Sequence, residues 1–358
     1  MRTSTPQAVV SWHMIHAKIV PWNRIPRMDV AGRLPMGVLR TLMYATMYRD
    51  VGIAAWDCRV AGLTANAAWQ RLHAGQRLLP NSTTAPIALS TLLRDAAFGP
   101  WAAIQKRDGL VACGLATSKG DPWAFTPEQS ATAGPGHVGA TVARALGVGV
   151  HVPCATAAAC STGLYTLLAG ADRIADGLCG RALVGAVDGS LPDWLHAGFA
   201  RMGVLCDSDE PRAGDRNHPG TGFIPAPGAG VLALVRGPAP WRLIAGVRLG
   251  DAGHETHFVN PSTLATALAS LWEVQPQPDL IVTHLTGTAL GDAYELAGLD
   301  DGPWRHVPRL ILKPLIGHTL GASGAVELVL GLESTARRMW KLSLGFGGHL
   351  AAVAVEKS

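Results

Sequence analysis

The chain has 358 residues, 48% hydrophobic and 16% charged, enough for a large core in two ordinary domains or one large α/β body. Its net charge of +4, with no basic run of five or more residues, is too weak to argue for a nucleic-acid partner. Six scattered cysteines without a CxxC pair argue for reduced thiols in the cytoplasm, not a disulfide framework or a zinc site.

The opening MRTSTPQAVVSWHMIHAKIV lacks the continuous apolar core of a signal peptide. Residues 1–50 are rich in Arg, Met and Pro, with one helix expected over Met36–Tyr48. From Val51 the text reads as a strand, a Gly turn and a helix through Trp69 and Leu72 that closes near Gly75. A helix is expected over Pro86–Phe98, stopped by Gly99-Pro100. A strand over Gly109–Leu115, a helix over His137–Ala145 and a strand over Val148–Pro153 come next. The uncharged stretch Ala145–Ala171 is long enough to raise a membrane span. Pro153, His151 and its small polar residues favour a buried strand–turn–helix instead.

That turn places Cys160 at the start of a helix whose Leu164, Leu167, Leu168, Ala171 and Ile174 share one apolar face. A thiol there sits at the positive end of the helix dipole, which favours the thiolate. A cysteine alone in such a place is more often a packing residue; the loops downstream change that. Arg181–Val187 reads as a strand buried on both faces, and Cys206–Pro227 as a polar Pro/Gly-rich loop. Strands over Gly228–Val235 and Leu243–Leu249 follow, and then the strand–loop–helix grammar restarts. It gives a helix over Ser262–Trp272, a strand over Leu280–Thr283, a helix over Asp292–Ala297, a strand over Leu310–Lys313, a helix over Ala325–Met339 and a final strand over Leu350–Glu356. No sequence repeat accompanies this, so a duplicated fold is only suggested.

Three loops of the second half carry chemistry. THLTGTALGD (Thr283–Asp292) places His284 at a strand end before small residues. In KPLIGHTLGASGAVE (Lys313–Glu327) Lys313 ends a strand and His318 sits between Gly317 and Thr319 in a small-residue loop. LGFGGHL (Leu344–Leu350) flanks Phe346 with glycines. A lone histidine at a strand end is more often a hydrogen-bonded core residue. Two of them beside loops that let backbone approach a ligand point to function. Cysteine, histidine and lysine together suit thioester chemistry: a thiolate accepts an acyl group and imidazoles donate to an enolate oxygen.

These motifs resemble the β-ketoacyl-acyl-carrier-protein synthase (ketosynthase, condensing-enzyme) family. AACSTGLYTLLAGADRIADGLCGRALVGAVDGSL is similar to its nucleophile segment, THLTGTALGD to its first histidine motif, LKPLIGHTLGASGAVEL to its lysine–histidine motif and LGFGGHL to its Gly-Phe-Gly-Gly loop. The likeness spans about Val51–Glu356 and is to the elongating Cys-His-His type, in a divergent and shortened member. It implies an α/β thiolase-like fold of two related halves in a layered α-β-α-β-α arrangement. Residues 1–50 would be an extension, 51–235 the N-terminal half with the nucleophile and 236–358 the C-terminal half with the His/Lys motifs.

By that resemblance Cys160 is the acyl-accepting nucleophile. His284 and His318 hydrogen-bond the malonyl carbonyl, and Lys313 supports the second histidine. The backbone N–H groups of Cys160 and Phe346 form the oxyanion hole, and Phe346 gates entry. Asp292 and Glu327, with Thr286 and Thr288, play supporting parts. The implied reaction is decarboxylative condensation of an acyl group with malonyl-acyl carrier protein in fatty acid or polyketide-type biosynthesis. Phosphopantetheine thioesters are its substrates, with no metal or organic cofactor and no membrane span. Acyl carrier protein and a second subunit, identical or ketosynthase-like, are the implied partners. The alternatives are a non-elongating acyltransferase, or a chain-length-factor-like or scaffold partner of a second ketosynthase. Departures from the family pattern are a short segment before Gly109, Pro227 for an acidic residue, Leu285 for Gly, Leu350 for Asn, and Ala157 for the usual Asp or Thr.

Overall fold

The computed structural model describes residues 44–80, 88–125 and 133–358. Its strands are β1 (Thr46–Met47), β2 (Val51–Val60), β3 (Val111–Ala116), β4 (His151–Pro153), β5 (Arg181–Asp188), β6 (Gly228–Arg236), β7 (Trp241–Gly250), β8 (Leu280–Val282), β9 (Arg309–Leu310), β10 (Arg338–Gly345) and β11 (His349–Lys357). Its helices are α1 (Ala65–His73), α2 (Leu89–Ile104), α3 (Pro135–Ala145), α4 (Thr162–Ala175), α5 (Asp193–Arg201), α6 (Pro261–Val274), α7 (Ala289–Asp300), α8 (Lys313–Ile316) and α9 (Ser323–Leu332).

The strand order β4-β3-β5-β6-β2-β7-β11-β10-β8-β9 contains one pattern twice. β2 to β6 lie in the order third, second, fourth, fifth, first, and β7 to β11 repeat it in mirror order along the sheet. The pairing repeats as well. β4, β3 and β5 run parallel, as do β9, β8 and β10. The remaining neighbours within each set are antiparallel. The two first strands meet through Gly52–Arg242 and Ile53–Trp241. The repeated grammar of the sequence is thus a repeated topology.

Helices fill three layers. α2 and α3 cover one outer face through Leu93, Ile104 and Val142 against Leu183 and Val231. α6 covers the other through Leu264 and Leu268 against Trp340 and Leu342. α4 and α9 lie between the two strand sets, with Leu164, Leu168, Val326 and Val329 in the central core. Every residue of α9 is buried, as expected of a helix apolar nearly all round. The two central helices touch where a side chain on Gly163 would lie 2.7 Å from the Ala325 nitrogen. The arrangement is the layered one that the resemblance implies.

Several sequence expectations are corrected. Residues 36–43 of the Met36–Tyr48 helix lie outside the described residues, and Thr46–Met47 pairs with Gly246 and Ala245 as a strand. Pro86 also lies outside them. Gly99-Pro100 does not stop α2, which runs through Pro100 to Ile104. An interior proline costs about 3 kcal/mol, and burying Trp101 and Ile104 beyond it offsets that at about 1.5–3 kcal/mol for each large apolar side chain. The helix expected to reach Met339 ends at Leu332, and Met339 belongs to β10. Lys313 opens α8 and does not end a strand. α5 falls where no element was expected.

Candidate active site

Cys160 sits in a turn two residues before α4, with Ser161 as the N-cap residue. Ala159 before it adopts φ 45°, a left-handed conformation that costs a non-glycine residue about 1–3 kcal/mol. The turn is held from several sides. Thr162 Oγ1 accepts from Ala158 N at 2.9 Å and donates to the Ala159 carbonyl at 2.7 Å. Ser343 Oγ donates to the Cys160 carbonyl at 3.1 Å, and Ser161 Oγ to that of His349 at 2.7 Å. β10 approaches so closely that a side chain on Gly345 would lie 2.7 Å from the Ala158 carbonyl oxygen. The Phe346 backbone N–H favours the charged form of the Cys160 sulfur.

Burial pushes the Cys160 thiol up to about 11, against the pull of Lys313, Lys119 and the Phe346 N–H, and Asp188 adds to the rise. The sequence argument from the helix dipole favoured the thiolate. Desolvation outweighs it here because the residue is buried and the helix begins only at Thr162. Lys119 is itself tied to the buried Asp188, its Nζ 2.9 Å from Oδ1.

His284 follows β8. Its backbone N–H and that of Leu285 both donate to Glu295, each at 2.7 Å. Burial drives the Glu295 carboxyl up to about 7, against these N–H groups and Lys313. Asp292 shapes the rest of the loop, accepting from Thr286 N at 2.9 Å, Gly287 N at 3.0 Å and Gly214 N at 2.8 Å. The Thr286 and Thr288 hydroxyls lie 2.9 Å apart.

His318 is placed by its N–H to the Ile224 carbonyl at 2.8 Å and by the Phe223 ring, edge-on at 4.7 Å between centroids. Its own ring lies 5.6 Å from that of His284. Lys313 Nζ donates to the His284 carbonyl, lies 3.3 Å from His284 Nδ1 and pairs with Glu327 Oε1 at 2.7 Å. Both imidazoles are held well below their ordinary range, first by burial and then by Lys313. They are neutral at pH 7.

Cys160, His284, His318, Thr286, Thr288 and Phe346 line one narrow cavity of about 40 Å³. Lys313, Asp292 and Glu327 stand behind it. Phe223 lines both this cavity and an open groove of about 1010 Å³, bounded by Leu79, Pro80, Trp123, Pro225 and Pro227. Sequence reading missed Glu295, Ser323, Lys341 and Phe223. Glu295 carried a signal, an acidic residue one helical turn after Asp292. Lys341 lies just past the end of the helix expected over Ala325–Met339, where no element was expected. Leu285 and Leu350, two departures from the family pattern, are both buried core residues.

Comparison with known proteins agrees with the geometry. Residues 99–238 match the family described as beta-ketoacyl synthase, N-terminal domain, and residues 247–346 match its C-terminal domain. The chain is 35% identical over 198 residues to polyketide synthase ThaG of Burkholderia thailandensis, covering 50% of this chain and 4% of that protein. It is 27% identical over 207 residues to 3-oxoacyl-[acyl-carrier-protein] synthase 2 of Vibrio cholerae, covering 52% of this chain and 50% of that protein. The matched stretch thus spans half of the synthase and a small part of the polyketide synthase.

Among solved structures, the type II polyketide ketosynthase complex AntDE:AntF has TM-score 0.75 at 17% identity, covering 87% of this chain and 99% of that one. The ketosynthase ApeO in complex with its chain length factor ApeC, from Xenorhabdus doucetiae, has TM-score 0.72 at 20% identity, covering 86% and 98%. These neighbours share the thiolase-like fold. With both domain families matched in order and the cysteine and two histidines gathered on one cavity, the chain belongs to the β-ketoacyl synthase family.

Proposed function

We propose that the chain catalyses decarboxylative condensation of an acyl group held on Cys160 with malonyl-acyl carrier protein, in fatty acid or polyketide-type biosynthesis. The observation that carries this reading is a buried thiol and two neutral imidazoles on one cavity. The Cys160 sulfur takes the acyl group from a carrier thioester. His284 and His318 flank the malonyl thioester carbonyl, where an enolate oxygen develops as carbon dioxide leaves. A neutral imidazole N–H in a dry site stabilises that oxygen without first giving up a charge to solvent. The carbanion attacks the acyl carbon, with the Cys160 and Phe346 N–H groups at its oxyanion. Lys313 orients His284, not the second histidine as the resemblance implied, through the His284 carbonyl and Nδ1, while Ser323 is the side chain that reaches His318 Nδ1.

The chemistry needs no metal or organic cofactor. Acyl carrier protein is the proposed partner, together with a second copy or a ketosynthase-like subunit. We place the enzyme in the cytoplasm; among the described residues no helix is long and apolar enough to cross a membrane. The narrow cavity requires Phe346 to move for acyl entry. The open groove beside Phe223 favours a second reading, a non-elongating acyltransferase or a chain-length-factor-like partner. Carbon dioxide release from malonyl-carrier protein after Cys160 is acylated separates them: condensation predicts release with product, and transfer alone predicts none.

A further inference from the structure

The repeat seen in the strand order continues into the turns before the two central helices. Three residues ahead of α4 and of α9 stands a non-glycine residue with positive φ, Ala159 at 45° and Leu320 at 48°, a rare conformation for a residue with a side chain. The helices meet reciprocally. A side chain on Gly163 would lie 2.7 Å from Ala325 N, and one on Gly324 would lie 3.2 Å from Leu164 N. Position for position, Gly321 thus stands in the second half where Cys160 stands in the first. The facing strands match as well: β5 and β10 each have eight residues and end at Asp188 and Gly345. A side chain on Gly345 would come within 3.1 Å of the Cys160 nitrogen. Asp188 has such a side chain, and its Oδ2 accepts from Gly321 N at 2.7 Å.

Asp188 is fully buried. Its Oδ2 also accepts from Ser118 Oγ at 2.6 Å, and its Oδ1 lies 2.9 Å from Lys119 Nζ, the counter-charge that a buried carboxylate needs. The contact leaves no room at Gly321, where a Cβ would lie 2.6 Å from Ser118 Cβ and 2.7 Å from Asp188 Oδ2. His318 itself is tied on its near side, its N–H to the Ile224 carbonyl and its carbonyl to Ala226 N at 3.0 Å. Gly321 lies three residues further on, so Asp188 anchors the far end of the segment that carries the imidazole.

We propose that Asp188 is a positioning residue whose carboxylate fills the anion hole duplicated in the second half, at the place where the first half receives the acyl oxyanion, and so fixes the turn behind His318. The inference rests on the condensation reading and adds to it a residue that acts through His318. The duplicated turn is closed by the protein's own carboxylate, which leaves the turn at Cys160 as the one that takes substrate.

The test compares wild type, Asp188→Ala and Asp188→Asn in single turnover, with acylation of Cys160 and carbon dioxide release from malonyl-carrier protein followed separately. In Asp188→Ala, release should slow at least about tenfold, since a misplacement of about 1 Å costs on the order of 10²-fold. Acylation should stay near the wild-type rate, because the Cys160 turn keeps its bonds to Thr162 and Ser343. An asparagine oxygen still accepts from Gly321 N–H and Ser118, so Asp188→Asn should bring release back to within about threefold of wild type. Equal falls in both steps, wild-type release in Asp188→Ala, or Asp188→Asn as slow as Asp188→Ala overturns the proposal. Hydrogen exchange at the Gly321 amide gives a second reading that does not need Asp188→Ala to fold. Protection in both wild type and Asp188→Asn supports the anchoring bond, and fast exchange in wild type overturns it. If wild type releases no carbon dioxide with any acyl carrier, the condensation reading falls alone, and the Gly321 amide still decides where the carboxylate is bound.

Discussion

Lys341 Nζ lies 2.5 Å from Glu327 Oε2, and both side chains are fully buried. With Lys313 on the other oxygen, one carboxylate answers two ammonium groups behind the catalytic cavity. Burial alone would raise the Glu327 carboxyl; Lys313 and Lys341 outweigh it and hold it below its ordinary value. Burial pushes Lys341 down to about 8 against the pull of Glu327. Glu327→Gln leaves two buried cations without their counter-charge, and should cost about 3–5 kcal/mol in urea unfolding. Lys341→Met still leaves Glu327 paired with Lys313. It should cost clearly less, and equal losses would contradict this account of the cluster.

The two neutral imidazoles make stability depend on pH. Their folded values lie well below 6.5, whereas in the unfolded chain they titrate near 6.5. As pH falls below that value the unfolded chain binds protons that the folded chain refuses. Stability complete at pH 7.5 is therefore lost toward pH 5.5, at up to about 1.4 kcal/mol per pH unit for each group. Urea midpoints should show this slope, and it should flatten in the His284→Gln/His318→Gln double variant.

The free thiol should behave as a thiol. With its value pushed up to about 11, the thiolate fraction of Cys160 grows tenfold per unit through neutral and mildly alkaline pH. Iodoacetamide labelling of the Cys160 peptide, read by mass to separate it from the half-buried Cys206, should rise continuously from pH 7 to 10. A plateau below pH 9 would show a pre-formed thiolate.

Gly345 is where β10 meets the nucleophile turn. A methyl there meets the Ala158 carbonyl oxygen at 2.7 Å and the Cys160 nitrogen at 3.1 Å, and neither backbone atom can swing aside. Gly345→Ala should destabilise the fold by about 1–3 kcal/mol and slow acyl transfer to Cys160 at least tenfold, as a displaced nucleophile requires. A wild-type acylation rate would show that the turn tolerates the shift.

The nucleophile, both histidines and the Phe346 loop were legible because each sits beside small residues, and Lys313 because it lies five residues before His318 in the same motif. The layered fold was implied by the family resemblance, and the restart of strand–loop–helix grammar after Leu249 agreed with it. What stayed hidden depends on contacts between distant segments. Lys341 reads as one polar residue in RMWKLSLG, and only the packing of β10 against α9 joins it to Glu327. Ser323 reads as a small residue in a glycine loop, and its meaning lies in the two partners that share its hydroxyl. The Gly99-Pro100 stop failed because local proline chemistry was overruled by the burial of Trp101 and Ile104. The thiolate expectation met the same kind of opposition, since burial of the sulfur outweighs the pull of the neighbouring lysines.

Removing a hydrogen-bond donor from a developing oxyanion costs about 2.7–4 kcal/mol. His284→Ala should therefore slow condensation about 10²–10³-fold while leaving acylation of Cys160 measurable, followed by single-turnover transfer and carbon dioxide release. An equal loss in both steps would remove His284 from its separate role at the enolate.

The central claim is that Cys160 carries the acyl group. Intact-protein mass after incubation with a panel of acyl-carrier-protein thioesters, wild type beside Cys160→Ala, tests it most directly. The account predicts one acyl adduct on wild type and none on the variant. No adduct from any donor on folded wild-type protein, or an adduct that survives Cys160→Ala, would contradict it.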